Sequence, residues 1–329
     1  MTDRWVSAFQ DPAGPGDSRP TAKQIVEAET IKGTWSQKVV LVTGCSAGIG
    51  VEAAHALAET GATLYLTARN LTKAEKALGD LVKSDRVHLL ELDLNSLASV
   101  RRAAEVFNSK EKKLNVLIAN AGVMAPPEGR TDDVFETQFG TNHLAHFLLI
   151  NLLMPTLKAA ASSTFNSRIV ILSSVAHRWA SVNFDNINFD GNYDPNAAYG
   201  QSKTANLWTA NALERRFGSE GVHAWSVHPG AVATDLTKYM DEETKKANGA
   251  NEYIQKILKD PAQGAAAETW AAVSKALEGK GGLYIEDCQI SKEWKEGQHA
   301  PGYAAHAYDE ASEEKLWNLS LKLVGLSSL

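Results

Sequence analysis

The sequence is poor in cysteine and contains no candidate metal site. Its two cysteines are Cys45 and Cys288, and no cysteine and histidine residues are grouped at the spacing of a zinc site. So few cysteines argue against a disulfide-stabilised secreted domain. We therefore expect no structural disulfide, no bound metal and a location in a reducing compartment, the cytoplasm.

Long apolar runs and an excess of one charge are also missing. The apolar stretch at 147–154 is shorter than the roughly 20 residues that cross a bilayer. Residues 1–20 are polar and lack the apolar segment of a signal peptide. The 33 basic and 39 acidic side chains give a net charge of -6, which argues against a nucleic-acid or anionic membrane surface. We expect a soluble protein with no membrane anchor and no nucleic-acid partner.

What the sequence does contain is a nearly uninterrupted alternation of strand-like and helix-like segments. This alternation predicts a Rossmann-like α/β fold, a doubly wound parallel sheet of about seven strands with helices on both faces, in a single domain. Ligands of such sheets bind at the carboxyl ends of the strands. Strands are predicted at 39–42, 63–67, 87–92, 116–119, 168–173, 223–227 and 283–285. Helices are predicted at 49–60, 71–82, 97–108, 132–157, 197–217 and 261–277.

Three segments stand outside this alternation. Residues 1–35 are predicted to form an N-terminal extension before the domain at 36–329, with a short helix at 21–29. An insertion at 177–196 and a C-terminal extension at 286–329 complete the division. The C-terminal extension combines a polar loop at 286–307 with a last helix at 310–323. Long loops in a compact domain are usually functional or disordered. We expect the insertion and the segment after Leu236 to cover a pocket, while solvated decoration is the alternative for 286–307.

A glycine-rich turn joins the first predicted strand to the first helix of the domain. It reads Thr43-Gly44-Cys45-Ser46-Ala47-Gly48-Ile49-Gly50. Such a turn lets the backbone approach a pyrophosphate, whose charge then lies at a helix N-terminus. A plain tight turn would need about one glycine. Three glycines in this context therefore indicate nucleotide binding.

Tyr199 and Lys203 stand four residues apart, on one face of a predicted helix. A nearby ammonium favours the ionised phenol, so the pKa of Tyr199 is expected to fall toward neutral pH. Such a phenol can exchange a proton with a carbonyl or alcohol oxygen. Taken alone, the pair would be better interpreted as a solvated helical pair; three further motifs at compatible places decide against that interpretation.

Further motifs follow other predicted strands. Asn120-Ala121-Gly122 comes directly after one, Ser173-Ser174 ends another, and Pro229-Gly230 with Thr234 follows a third. In this order and spacing, together with the glycine turn and the Tyr199 pair, they resemble the short-chain dehydrogenase/reductase family over roughly residues 36–285. The helix that contains Asn142, the insertion and Glu286-Asp287-Cys288 resemble its retinol-dehydrogenase-like members in particular.

The resemblance implies a catalytic set of four residues. Tyr199 would be the general acid in reduction and the base in oxidation. Lys203 would lower the pKa of Tyr199 and hold the nicotinamide ribose hydroxyls. Ser174 would hydrogen-bond the reacting oxygen, and Asn142 would help to hold a water relay to the lysine. The set of cofactor contacts that the resemblance implies is Thr43, Gly44, Ser46, Gly48, Ile49, Gly50, Arg69, Asp93, Leu94, Asn120, Ala121, Gly122, Tyr199, Lys203, Pro229, Gly230, Val232 and Thr234.

The end of the second predicted strand indicates which dinucleotide is bound. Enzymes that use NAD usually carry a carboxylate there for the ribose 2′-hydroxyl. Here Ala68 takes that place and Arg69 follows, and a guanidinium can bind a 2′-phosphate. An ordinary surface arginine is the alternative. The cofactor is predicted to be NADP(H), although Ala47 stands where some NADP enzymes have a second basic residue.

The expected activity is hydride transfer between NADP(H) and a carbonyl or alcohol group. Reduction of an activated C=C bond and a nucleotide sensor without turnover are the alternatives, and the complete catalytic set argues against the sensor. Tyr239 and Met240 lie in the presumed cover of the pocket, and the insertion carries four aromatic residues, Trp179, Phe184, Phe189 and Tyr193. They favour a hydrophobic small-molecule substrate, or else they only pin the insertion to the body of the protein.

A homodimer or homotetramer is expected from the helices at 132–157 and 197–217. Both are long and have broad apolar faces, and members of the resembled family pair these helices. The alternative is a monomer, in which those faces pack on the sheet or the N-terminal extension caps the surface.

Overall fold

A computed structural model of the chain describes residues 4–295 and 301–327. The ends of the two predicted extensions, residues 1–3 and 328–329, lie outside these residues. One sheet has the strand order β3-β2-β1-β4-β5-β6-β7-β8, which reverses between β1 and β4. The first seven strands pair in parallel and β8 pairs antiparallel with β7. The strands are β1 (Val39–Thr43), β2 (Thr63–Ala68), β3 (Val87–Glu91), β4 (Val116–Ala119), β5 (Ser167–Leu172), β6 (Val222–His228), β7 (Leu283–Glu286) and β8 (Gln289–Ile290).

Helices cover both faces of the sheet, and each face has its own apolar core. Successive residues of β1 show the division, because Leu41 packs in one core while Val40 and Val42 pack in the other. The predicted doubly wound α/β fold is therefore confirmed. The helices are α1 (Ala22–Ala28), α2 (Ile49–Ala58), α3 (Leu71–Leu78), α4 (Leu97–Lys110), α5 (Ala145–Ala160), α6 (Pro195–Phe217), α7 (Glu242–Ala250), α8 (Glu252–Ile257), α9 (Pro261–Gly264), α10 (Ala266–Val273) and α11 (Glu310–Leu323).

An eighth strand lies in a segment predicted to be a loop. A two-residue turn at Asp287 and Cys288 joins β7 to β8, with φ of +52° and +54°. Hairpin turns of this kind usually contain Gly or Asn, since other residues rarely adopt positive φ. The sequence therefore carries no turn signal here, and a strand of two residues has no periodicity to detect.

Two predicted helices differ from the structure. The helix predicted at 132–157 begins later, because the chain first turns at Val134, where φ is +67°. It then forms a π-helical turn at Phe139–Leu144 before continuing as α5. The helix predicted at 261–277 is divided into α9, α10 and a 3₁₀ turn.

The two extensions pack on different parts of the domain. In the N-terminal one, α1 contacts α10 and α2. In the C-terminal one, α11 lies against α5 and α6, with the ring centroids of Trp317 and Phe147 4.9 Å apart. Arg215 and Arg216 of α6 pair with Glu313 and Glu314 of α11. The face through which α5 and α6 were predicted to pair is therefore covered by the chain itself.

No helix among residues 4–295 and 301–327 is both long enough and apolar enough to cross a bilayer. The same residues contain no group of three or more His, Cys, Asp or Glu side chains arranged for a metal ion.

Candidate active site

A cleft of about 1570 Å³ lies at the carboxyl ends of the parallel strands. Most of the predicted site residues line it: Gly44, Ser46, Gly48, Ile49, Arg69, Asp93, Leu94, Asn120, Ala121, Gly122, Ser174, Tyr199, Lys203, Pro229, Gly230, Val232 and Thr234. Thr43, Gly50 and Asn142 do not reach its surface and are buried behind it. The fold thus gathers into one cleft residues that are up to 190 positions apart in the chain.

The glycine turn is shaped by contact with the Asn-Ala-Gly loop. Gly44 has a φ of +81°, and a Cβ atom there would lie 2.8 Å from the Cβ of Ala121. A Cβ atom on Gly50 would lie 2.5 Å from Nδ2 of Asn120. Both distances are shorter than any real carbon contact, so only glycine fits at these two positions.

Thr43 joins the same two loops by hydrogen bonds. Its Oγ1 accepts the backbone N–H groups of Asn120 and Ala121, each at 3.0 Å, and Nδ2 of Asn120 donates to the Thr43 carbonyl at 2.7 Å. Oγ1 also lies 2.9 Å from Nε2 of His146. Thr43 therefore holds the wall of the cleft and does not form its surface.

Tyr199 and Lys203 lie one turn apart on α6, which begins after an Asp194 N-cap and Pro195. The Lys203 ammonium is 5.4 Å from the centroid of the Tyr199 ring and donates to the Leu172 carbonyl at 3.0 Å. Both side chains are almost completely buried. The helix therefore brings a phenol and an amine to the same point of the cleft.

Burial decides the ionisation of this pair. It raises the pKa of Tyr199 to about 12, and a hydrogen bond with the Ser174 side chain lowers that pKa only in part. Burial also lowers the pKa of Lys203 to about 8. The predicted fall in the Tyr199 pKa is therefore wrong for this arrangement, because burial of the phenol disfavours its charged form.

The two serines at the end of β5 have different surroundings. Oγ of Ser173 donates to the Lys203 carbonyl at 2.9 Å and so fastens β5 to α6. Ser174 caps the 3₁₀ turn that follows, where its Oγ accepts from the Ala176 N–H at 3.2 Å. Its side chain also lies close enough to Tyr199 to lower the pKa of that phenol. Of the two, Ser174 has the contacts expected of a substrate-binding serine.

Asn142 lies in the π-helical turn and is fully buried. Its Oδ1 accepts from the Val123 N–H at 2.8 Å, and its Nδ2 donates to the Val123 carbonyl at 2.9 Å and to Oγ of Ser202 at 3.0 Å. These bonds tie the loop after β4 to α6. Turns of this kind are frequent at functional sites, and no sequence pattern predicted one here.

The far end of the cleft is basic. Ala68 is buried at the end of β2, and Arg69 is exposed beside the cleft. Lys73, in the first turn of α3, lines the same place and was missed by the sequence analysis. In the part of the chain that the structure describes, neither cation has a carboxylate within 4.0 Å. The place of Lys73 three residues after Asn70, the N-cap of α3, was the signal that could have indicated a second cation beside Arg69.

The aromatic residues of the insertion divide into two groups. Trp179 lines the cleft and is 56% exposed. Phe184 stacks on Trp208 at 6.3 Å between ring centroids, Phe189 is buried, and the Tyr193 hydroxyl donates to the Pro126 carbonyl at 2.8 Å. Only Trp179 therefore belongs to the pocket, and the other three attach the insertion to the domain. Tyr239 and Met240 line the cleft as well.

The segment after β7 supplies a polar wall of the cleft that the sequence analysis did not predict. Arg178 donates through Nε to the Gly302 carbonyl at 3.0 Å, and the Gly302 N–H donates to the Glu286 carboxylate at 2.8 Å. The Arg178 guanidinium lies 4.9 Å from the Trp294 ring centroid. Burial raises the pKa of Glu286 to about 7. Residues 296–300 of the predicted loop lie outside the described residues.

Comparison with known proteins agrees with this geometry. The family model for short chain dehydrogenases matches residues 38–245. The chain belongs to the short-chain dehydrogenase/reductase family. It is 48% identical to short-chain dehydrogenase/reductase prx1 of Penicillium roqueforti over 325 residues, which is 98% of this chain and 96% of the relative. It is 37% identical to mouse retinol dehydrogenase 12, with 88% and 87% of the two chains covered.

A solved structure supports the same assignment. A protein of Mycobacterium paratuberculosis, described as uncharacterized, matches with a TM-score of 0.67 and 30% identity. The match covers 88% of this chain and 94% of that one. As a short-chain dehydrogenase/reductase, the chain is an oxidoreductase of a family that binds nicotinamide dinucleotides. The predicted retinol-dehydrogenase-like resemblance is therefore confirmed.

Proposed function

We propose that the protein is an NADP(H)-dependent oxidoreductase that transfers a hydride between the nicotinamide and a carbonyl or alcohol group of a hydrophobic small molecule. The observation that carries this proposal is that Tyr199, Lys203 and Ser174 line the same cleft as the glycine turn and Arg69. The same cleft is thus lined by a proton-transfer group, a turn suited to a dinucleotide and a cation suited to a phosphate.

The residues present suit a dinucleotide. The cleft exceeds the roughly 300–1,000 Å³ of ordinary small-molecule pockets, which leaves room for a substrate as well. An ammonium carries three donors, and the described residues give Lys203 one acceptor, the Leu172 carbonyl. A Cβ atom on Gly122 would lie 3.6 Å from Nζ of Lys203, so glycine keeps the approach to that ammonium open. When bound, the nicotinamide supplies the hydride chemistry.

The chain itself supplies position and a proton. With a pKa of about 12, the Tyr199 phenol is neutral at pH 7 and ready to donate its proton to a carbonyl oxygen. The Ser174 hydroxyl, which lines the same cleft, can donate to the same oxygen. The remaining donors of Lys203 suit ribose hydroxyls.

The preference for NADP(H) rests on the basic end of the cleft. Arg69 and Lys73 would hold a 2′-phosphate by charge-assisted hydrogen bonds. Ala68 has no carboxylate that would repel that phosphate or grip a 2′-hydroxyl.

A hydrophobic substrate is favoured by Trp179, Tyr239 and Met240, which line the cleft. Mouse retinol dehydrogenase 12, by its name, acts on retinol. The two cysteines are both free and buried, and on that ground we also propose a cytoplasmic location.

The experiment is a cofactor-oxidation assay of the full chain with NADPH or NADH over a panel of aldehydes, ketones and activated enones. We expect turnover of apolar aldehydes or ketones with NADPH. Turnover confined to the C=C bond of enones would favour the alternative reductase. Tight binding of NADPH without turnover of any substrate would favour a sensor.

A further inference from the structure

Lys259 is a buried cation at the edge of the cleft, outside every motif considered so far. Its side chain is 3% exposed, although lysine is seldom buried unless it is paired. Its Nζ donates to Oδ1 of Asp287 at 2.8 Å and to the Pro229 carbonyl at 3.0 Å. Lys259, Asp287 and Pro229 all line the cleft. One ammonium thus joins the β7–β8 turn to the loop after β6.

The backbone of Lys259 holds the same loop a second time. Its N–H donates to the Ala231 carbonyl at 2.8 Å, and its carbonyl accepts from the Ala233 N–H at 3.0 Å. Gly230 has a φ of +97°, and a Cβ atom there would lie 2.6 Å from Nζ of Lys259. The loop from 229 to 233 is therefore fitted closely around this one residue.

The partner of Lys259 is itself held in an unusual conformation. Asp287 has a φ of +52° in the turn between β7 and β8. Such a conformation in a residue other than glycine persists where the surrounding structure enforces it, and it occurs often at ligand sites. Here it directs the carboxylate to the lysine.

The N-terminal extension fixes Lys259 from the other side. The Phe9 ring centroid lies 4.9 Å from Nζ of Lys259. Arg19 is 3% exposed and donates to the carbonyls of Ile257 and Leu258, the two residues before Lys259, at 2.7 and 2.6 Å. Phe9 and Arg19 themselves line the cleft, so the extension reaches it beside this lysine.

We propose that Lys259, held by Asp287, is a positioning residue that sets the loop 229–234 at the nicotinamide end of the cleft. The inference rests on the proposed function, because it assigns this end of the cleft to the nicotinamide. Replacing a lysine with only a structural role would change the binding of every ligand to the same degree. A positioning residue would change the binding of the nicotinamide half of the cofactor and leave the adenosine half unaffected.

The test compares two ligands by titration calorimetry on the full chain. NADPH occupies both ends of the cleft, whereas 2′,5′-ADP represents only the adenosine end. Lys259→Met keeps the length of the side chain and removes its charge and donors. Lys256→Met is the matched control, since Lys256 is exposed three residues earlier. We expect Lys259→Met to weaken NADPH about tenfold and to change 2′,5′-ADP less than about twofold. Lys256→Met should change neither.

A second variant tests the proposal independently of whether Lys259→Met folds correctly. Asp287→Asn keeps the shape of the turn and should give the same selective loss to a smaller degree. Both residues act through one ion pair. The double variant should therefore bind NADPH no more weakly than Lys259→Met alone. Equal losses for both ligands, or a lower melting temperature with unchanged NADPH affinity, would overturn the positioning role. A wild-type chain that binds neither ligand would instead overturn the proposed function, and this inference with it.

Discussion

The Lys203 ammonium lies 5.4 Å from the centroid of the Tyr199 ring, yet burial moves the two groups away from an ion pair. The phenol pKa rises to about 12 and the ammonium pKa falls to about 8. Both shifts favour the neutral forms, because neither charge is well solvated in the cleft. The ammonium is therefore available to bind a ligand and the phenol to donate a proton. Burial of the ammonium lowers the free energy of unfolding in return.

That cost predicts a gain in stability on removal of the lysine. A lysine pKa lowered from 10.5 to about 8 corresponds to about 3 kcal/mol of destabilisation at pH 7. Lys203→Met also loses the bond to the Leu172 carbonyl, worth about 1 kcal/mol. We expect the free energy of unfolding at pH 7 to rise by about 1–2 kcal/mol. Urea unfolding measures it, with the exposed Lys113→Met as control.

The sign of the pH dependence follows from proton binding. Between pH 8 and 10.5 the folded lysine is neutral while the unfolded one is charged, so the unfolded state binds more protons. The wild type therefore gains stability as pH rises through this window, and the advantage of Lys203→Met should shrink. An advantage that grows with pH would contradict the burial of a charged lysine.

Tyr199→Phe should remove most turnover and leave cofactor binding nearly unchanged. The substitution deletes only the proton that the phenol transfers, and positioned acid–base catalysis is worth about 10²–10⁴-fold. Steady-state kinetics and NADPH titration measure the two effects. Tyr65→Phe is the matched control, because Tyr65 is a buried phenol outside the cleft that bonds Glu111. Wild-type turnover in Tyr199→Phe would show that Tyr199 is not the group that transfers the proton.

Arg69→Ala and Lys73→Ala should each weaken NADPH without affecting NADH. Loss of a charge-assisted bond to the 2′-phosphate is worth about 10–100-fold in the dissociation constant. Lys76→Ala is the control, since Lys76 is an exposed cation of the same helix that does not line the cleft. Combining Ala68→Asp with loss of Arg69 should reverse the preference. Equal affinity of the wild type for NADH and NADPH would refute the argument.

Trp179→Ala and Phe184→Ala should have opposite effects. Trp179 lines the cleft while mostly exposed, so its removal should raise KM about fivefold or more with an unchanged melting temperature. Phe184 stacks on Trp208 away from the cleft, so its removal should cost about 1–3 kcal/mol of stability and leave KM unchanged. If Trp179→Ala lowered only the melting temperature, the residue would be a structural pin like the other three.

The chain should be a monomer in light scattering at micromolar concentration. The apolar faces of α5 and α6, expected from sequence to pair between subunits, are covered by α11 and the Trp317–Phe147 contact. Trp317→Ala should loosen this cover and raise the apparent mass, whereas the exposed Lys322→Ala should not. A wild-type dimer cross-linked through α5 and α6 would show that α11 leaves this face in solution.

The fold and most of the lining of the cleft could be predicted from the sequence alone. Strand and helix periodicities are local, and parallel strands must place their carboxyl ends along one edge. For that reason the turn from Thr43 to Gly50, the Asn120 loop and the Tyr199 pair could be assigned to one site from short motifs. Their spacing along the chain was sufficient because each motif directly follows a strand or lies on one helix.

Properties that depend on contacts between distant segments became visible only in the folded chain. The direction of the Tyr199 pKa depends on burial by elements throughout the chain. The pocket role of Trp179, in contrast with Phe184, depends on which side of the insertion faces the domain. The pairing of Lys259 with Asp287 joins a position outside every motif to a motif residue whose partner the sequence did not indicate. Burial, desolvation and charge pairing act through space, so a linear pattern cannot give their sign.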